Sequence, residues 1–335
     1  GRHELTVGTD LNWIRWTPDN LGIGRTWSFS TGAPFNAADR STYPFQFSRA
    51  LAPTYDDISS TEHSVYFDDR WLVTSDLTLN VGVRYDVQTG VFNPDLLEME
   101  VPEIRIAERV FRPAGRLNPA LFPFFDGSTR GDKNNFGPRL GFAWNIGGDG
   151  RQVLRGAYGV YYNRYRATGA NRAELNPESF LVIISNPNYP DPYQGRDPYA
   201  LAAASRNFTI QGNDNRNPHT HQFSVGYSRQ LDANTAASAN ATYAKGRNQH
   251  TQIDRNYFAS AADRAAGIRP FPQYGQVTEG RTDGELAYAA LEARLERRMA
   301  KRWQMLASYT LAWAKVNGEG LPADHLLPLS DYGYA

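Results

Sequence analysis

His219 and His221 stand two apart in a run of alternating residues, so a strand would point both imidazoles to one side. Two such rings could begin a transition-metal site, but a site needs further ligands, and no carboxylate stands at a useful spacing. The plainer reading is a polar strand end. Asp68 and Asp69 could suggest paired carboxylates for acid–base work. As strand neighbours they point to opposite sides and cannot share a substrate. Gly147-Gly148-Asp149-Gly150 resembles a phosphate cradle only superficially, because no helix and no Gly-Lys-Ser/Thr run follow; it reads as a turn. Glu98-Met99-Glu100 lacks calcium-loop spacing. There are no cysteines, which excludes disulfides, thiol chemistry and Cys-zinc sites. No catalytic group, metal set or cofactor motif assembles.

The segment 185–199 differs in kind. It places Tyr189, Tyr193 and Tyr199 among several prolines. Aromatics on a proline-stiffened loop can stack on a ligand at low entropic cost. These three tyrosines are the candidate ligand-binding residues; a self-packed loop is the alternative.

The elements that position these residues are strands. Leu77, Leu79, Val81, Val83, Tyr85 and Val87 alternate with Thr78, Asn80, Gly82, Arg84 and Asp86, a period of two that a helix does not explain. A tight turn at 74–76 joins this run to one carrying Val65, Phe67, Trp71 and Val73. A second pair covers about 137–163, with Leu140, Phe142, Trp144 and Ile146 against Arg139, Gly141, Ala143 and Asn145. Its return strand sets Leu154, Tyr158, Val160 and Tyr162 against Arg155, Ala157, Gly159 and Tyr161. A third covers 219–245, with Phe223, Val225, Tyr227 and Tyr243 opposed by Gln222, Ser224, Gly226 and Ser228. A fourth covers 287–315, where Glu292 and Arg294 oppose Leu291, Ala293 and Leu295; the Ala, Leu, Glu and Arg content of 287–299 also suits a helix. With runs over 4–13 and at Trp27–Phe29, about ten strands are expected.

Connections within pairs are short. Those between pairs, about 32–60, 89–136, 164–217 and 246–285, are long. Loops of that length are rare in compact domains, and here they recur at every second connection. That asymmetry is the mark of an outer-membrane barrel with short periplasmic turns and long extracellular loops. The expected fold is therefore all-β: part of a transmembrane antiparallel up-and-down barrel. Arg84, Asp86, Arg139, Asn145, Arg155, Glu292 and Arg294 would face a wet lumen, because burying so many unpaired charges in a dry core would cost several kcal/mol each. Trp71, Trp144 and Trp303 beside the short turns, and Tyr85, Tyr162, Tyr243 and Trp313 beside the long loops, would form two aromatic girdles. Leu77 to Tyr85 spans roughly 27 Å at about 3.4 Å per residue. At a tilt of about 40° that covers roughly 20 Å of membrane height, near the expected apolar band of about 25 Å.

Composition is compatible with this. Apolar residues make up 41% of the 335, and no run is long enough for a membrane-spanning helix, but a barrel strand is apolar only at alternate positions. Aromatics reach 13%. Thirty-five basic residues balance 35 acidic ones, which gives no support for a nucleic-acid partner. The chain begins Gly1-Arg2-His3 and closes on a loop-like Tyr332-Gly333-Tyr334-Ala335, so both ends read as cut.

The run Asp132-Lys133-Asn134-Asn135-Phe136-Gly137-Pro138-Arg139-Leu140-Gly141-Phe142-Ala143-Trp144 resembles Oar-like TonB-dependent transporters. So do Val153–Tyr162, Phe67-Asp68-Asp69-Arg70-Trp71 with Leu77–Tyr85, Leu295-Glu296-Arg297-Arg298 and Ala307-Ser308-Tyr309-Thr310. The resemblance covers most of 61–316 outside the long loops. It implies a barrel of about 22 strands with a plugged lumen, and active uptake of an extracellular ligand. Partners would be outer-membrane lipid, the ligand, and the TonB complex acting through the plug. On this reading all 335 residues belong to one barrel domain. The plug, an N-terminal carboxypeptidase-regulatory-like domain, a TonB box and the closing strands lie outside the sequence. An adhesin-type protein displaying loops, an outer-membrane protease, and a soluble all-β protein are the competing readings.

Overall fold

The computed structural model describes residues 2–16, 25–51, 58–91, 100–101, 104–106, 109–112, 115–116, 130–165, 178–179, 181–198, 200–201, 207–272, 274–316 and 330–332. Nine long strands dominate: β1 (Arg2–Trp16), β2 (Ile58–Leu72), β3 (Leu77–Thr89), β4 (Asn135–Asn145), β5 (Gln152–Tyr162), β6 (His219–Gln230), β7 (Thr235–Asp254), β8 (Val277–Ala300) and β9 (Trp303–Val316). Each pairs antiparallel with the next in the chain, giving one meandering sheet, to which three short strands at 178–179, 207–211 and 330–332 are added for twelve in all.

The four short connections hold the hairpins. Asp232 receives the backbone N–H groups of Asn234 and Thr235 at 2.7 and 2.9 Å, closing the β6–β7 turn. Gly147, Gly148 and Gly150 all have φ between 72° and 81°, which explains why this turn needs glycine. The β8–β9 turn is only Lys301-Arg302, both at positive φ, the twist that two-residue hairpins favour.

Register aligns the alternation of all nine strands. One row reads His3, Trp71, Leu79, Phe142, Gly156, Val225, Ala241, Leu291 and Leu311. The next residue along gives the opposite face, where Glu4, Arg70, Asn80, Gly141, Ala157, Ser224, Thr242, Ala290 and Ala312 align. The sheet therefore has one apolar face and one polar face. Among the described residues no second layer covers the apolar face: Val7 is 70% exposed, Leu140 51%, Leu291 50% and Tyr309 66%. Leaving so much apolar surface in water would forfeit about 25 cal/mol per Å².

Two expectations shift. The Trp27–Phe29 run is a strand, Arg25–Phe29, but it lies outside the nine-stranded wall. It joins Pro44–Ala50 and Leu181–Ser185 in a separate three-stranded sheet. Its alternation was too short to say which face it served. The expected loop 246–285 is narrower than predicted, because β7 and β8 keep pairing past Gly246 through two register shifts, as far as Asp254 and Thr278. A shift of register breaks the simple period that marks a strand in sequence. The 287–299 stretch, with its helix-compatible composition, lies wholly within the strand β8. The described helical residues are few: Arg40–Thr42, Ala261–Ala266 and residues 198, 200 and 201.

The two faces make opposite demands. Leu291→Arg should destabilise the protein in lipid vesicles by roughly 2–4 kcal/mol. Ser224→Arg, on the polar face, should be tolerated. Urea titration of the vesicle-embedded protein reads both.

Candidate functional site

On the polar face, β1, β2 and β3 bring Asp10, Ser64 and Arg84 together. Arg84 donates through Nε to Asp86 Oδ1 and through Nη1 to Asp10 Oδ2, both at 2.9 Å. Its Nη2 reaches Ser64 Oγ at 2.6 Å, and Ser64 Oγ donates to Asp10 Oδ2 at 3.3 Å. The guanidinium also lies 5.9 Å from the Tyr66 ring centre. Tyr66 lies over Gly8, where an added side chain would strike its ring. One cation thus holds two carboxylates and a hydroxyl in a planar fork. Beside it is a cavity of about 200 Å³, lined among others by Asn12, Glu62, Gln88 and Asn217. Gln88 closes one side by exchanging hydrogen bonds with the backbone of Tyr165, at 2.7 and 3.2 Å. Asp10, Ser64 and Tyr66 were not singled out in sequence. Their parity was visible; the register linking them to Arg84 was not.

The other predicted lumen residues are not gathered here. Arg139 lies 5.3 Å from the Tyr161 ring centre. Asn145 serves the turns instead: its amide donates to Asp76 at 3.2 Å and its oxygen accepts from the Gly150 N–H at 2.9 Å. Arg155 and Glu292 share a row with Gly226 and Asn240. Arg294 bonds Glu296 at 2.7 Å. β3 and β8 are five strand spacings apart, roughly 24 Å along the sheet at about 4.8 Å each, so Arg84 and Glu292 form no single constellation.

The predicted girdle aromatics occupy the apolar face at two levels. Trp71 stacks on His3 at 5.2 Å, and Trp303 lies 4.3 Å from the Arg297 guanidinium. Trp144 pairs in register with Leu77, next to the turn. At the other end Tyr85 packs on Phe136 at 4.7 Å, Tyr162 on His219 at 5.0 Å, and Tyr243 and Trp313 flank Ala289 in register. Asp68 and Asp69 diverge as expected: Asp69 is on the apolar face, 2.7 Å from His3 Nδ1, while Asp68 lies against Gly82 on the polar face.

Two of the loop tyrosines, Tyr189 and Tyr193, pack against the three-stranded sheet. Its core is Phe47, Leu51, Val182 and Ile184, with Trp27, Tyr193 and Leu201 packed against it. Tyr193 meets Phe47 edge-on at 5.5 Å. Tyr189 sits among Trp27 at 4.9 Å, Phe35 at 4.7 Å and Phe29 at 6.0 Å. Phe29 and Phe35 remain exposed, and Arg40 reaches across to Asn188 at 3.3 Å. Tyr199 lies outside the described residues. The two described tyrosines therefore differ: Tyr193 supports the small core, and Tyr189 joins an aromatic patch at its surface.

His219 and His221 share one face with ring centres 5.3 Å apart. Among the described residues no three metal-binding side chains converge.

A family model described as "outer membrane beta barrel domain" matches residues 1–323. The outer membrane transporter YddB from Escherichia coli superposes with a TM-score of 0.51 at 14% identity, over 94% of this chain and 31% of that one. The siderophore receptor PiuA from Acinetobacter baumannii gives 0.46 at 13% identity, over 98% and 38%. The ferripyoverdine receptor of the Pseudomonas aeruginosa outer membrane gives 0.41 at 14%, over 94% and 30%. The chain thus spans about a third of the length of these structures, and the YddB likeness is one of fold. No curated protein matches significantly.

Tyr193→Ala should loosen the small core, since removing a packed ring costs about 3 kcal/mol. Hydrogen exchange of 44–50 and 181–185 should speed up while β6 and β7 stay protected.

Proposed function

The chain belongs to the outer membrane β-barrel domain family, and from that premise we propose that it forms part of the wall of a TonB-dependent transporter that actively takes up a ligand of the carbohydrate, peptide or siderophore class. The protein lies in the outer membrane. The observation that carries the reading is the sorting of apolar and polar residues onto the two faces along the middle of the nine long strands. A wall of this kind turns its apolar face to lipid and its polar face to a water-filled lumen.

On this reading the short turns face the periplasm and the long connections face outside. The Asp10–Ser64–Arg84–Asp86 network belongs to the lumen wall. It offers fixed donors and acceptors to a plug or a passing polar ligand, and it holds its carboxylates on a guanidinium rather than poising them for proton transfer. The chain contributes no catalysis and no resident cofactor. The aromatic patch around Tyr189 is the capture surface for an arriving ligand. TonB supplies energy through a plug carried elsewhere in the full-length protein.

The test is uptake by cells carrying the full-length protein. Tyr189→Ala should reduce ligand accumulation several-fold at unchanged surface amount, and deletion of TonB should abolish it. Accumulation indifferent to TonB would remove the transporter reading. Accumulation that needs TonB but ignores Tyr189→Ala would remove only the capture surface.

A further inference from the structure

On the apolar face, three adjacent strands change character at the same point. Toward the end bearing the long connections, β5 runs Tyr158, Val160, Tyr162; β6 runs Phe223, His221, His219; and β7 runs Tyr243, Lys245, Arg247. The register places these residues in rows. Tyr158, Phe223 and Tyr243 form an aromatic row. The next row holds His221 and Lys245, and the one beyond holds Tyr162, His219 and Arg247. All lie on the side that carries Val225, Leu291 and Leu311, not on the side of Ser224 and Arg155.

Cations on that side need a reason. A residue two positions beyond the aromatic row is about 7 Å further along its strand, still close to the apolar surface. Aromatic rows settle at membrane boundaries, so the cations stand just outside the hydrocarbon, level with headgroups. The cluster is organised: the Tyr158 hydroxyl is 2.9 Å from His221 Nδ1, and Asn248 Nδ2 is 3.4 Å from His219 Nδ1. Among the described residues Glu285 on β8 pairs with both cations, 3.4 Å from Lys245 and 2.9 Å from Arg247. It bridges both cations and leaves one positive charge in excess. Lys315 on β9 lies in the same row, beyond Ala287.

We propose that Lys245 and Arg247, with His219 and His221, form an outward-facing site for the phosphate groups of lipid headgroups in the leaflet at the long-connection end. A phosphate offers several acceptor oxygens and negative charge. The site offers an ammonium, a guanidinium and two imidazoles beside rings that rest on the lipid's apolar part. The partner is a phosphorylated lipid of the membrane rather than free phosphate, because the cations sit directly above an uncovered apolar surface. The proposal rests on that surface facing lipid, as in the function proposed above.

The full-length protein is reconstituted in phosphatidylcholine nanodiscs containing lipid A, a bisphosphorylated glycolipid, and bound lipid A is counted by native mass spectrometry. Lys245→Gln/Arg247→Gln should weaken retention roughly tenfold or more. Glu285→Gln should strengthen it, and Lys301→Gln/Arg302→Gln at the opposite end should leave it unchanged. Equal retention by the double variant, equal retention of dephosphorylated lipid A, or full competition by equimolar inorganic phosphate would each overturn the site. Quenching by brominated lipid of a variant that keeps Trp313 as its single tryptophan reads the premise separately. Without quenching the wall reading itself fails. With quenching but no effect of the double variant, only this site fails.

Discussion

The structure depends on one constraint: a hydrogen-bonded sheet has two faces, and every strand must sort its side chains between them in the same phase. A register slip of one residue would put Arg84 among leucines and Val83 among charges. Nine strands keep the phase, so the apolar row through Leu79, Val225 and Leu311 is continuous. No described element covers it, and it is this face that the proposed function assigns to lipid. Backbone groups at membrane depth must be paired within the protein, which the antiparallel ladder does for all but its edges.

The opposite face follows from the same rule. On the proposed reading residues there would lie over a lumen, where water can reach their charges. Arg84 shows how such a face is ordered without becoming a dry core: it ties β1, β2 and β3 through Asp10, Ser64 and Asp86, while the side chains stay partly exposed. At the loop end a second device appears. The three-stranded sheet has its own small hydrophobic core, so the aromatics around Tyr189 are presented by a folded body.

The four hairpins were legible because each carries a period of two, broken at Asp69 in the first and shared with helix-compatible composition at 287–299 in the last, around a short turn. Val81 on one face and Arg84 on the other could be placed from spacing alone. What escaped was everything that depends on distant pairing. Asp10 meets Arg84 only because Val7 registers with Phe67, and no local pattern states that. The Trp27–Phe29 strand alternates like the others, yet pairs with 44–50 instead of the wall. The upper parts of β7 and β8 were read as loop because register shifts at 246–251 break the alternation. Tyr189 and Tyr193 read alike in sequence. Only packing separates the core ring from the surface one.

The absence of cysteine makes the central claim directly measurable. Single cysteines placed in turn at 222–228 and 237–243 can carry a spin label in reconstituted vesicles. Accessibility to oxygen, which concentrates in lipid, and to a water-soluble nickel complex can then be compared along β6 and β7. The account predicts strict alternation: oxygen at 223, 225, 227, 237, 239, 241 and 243, nickel at the remaining positions. Labels that favour nickel on both faces, or that reach neither reagent on the apolar one, would contradict it.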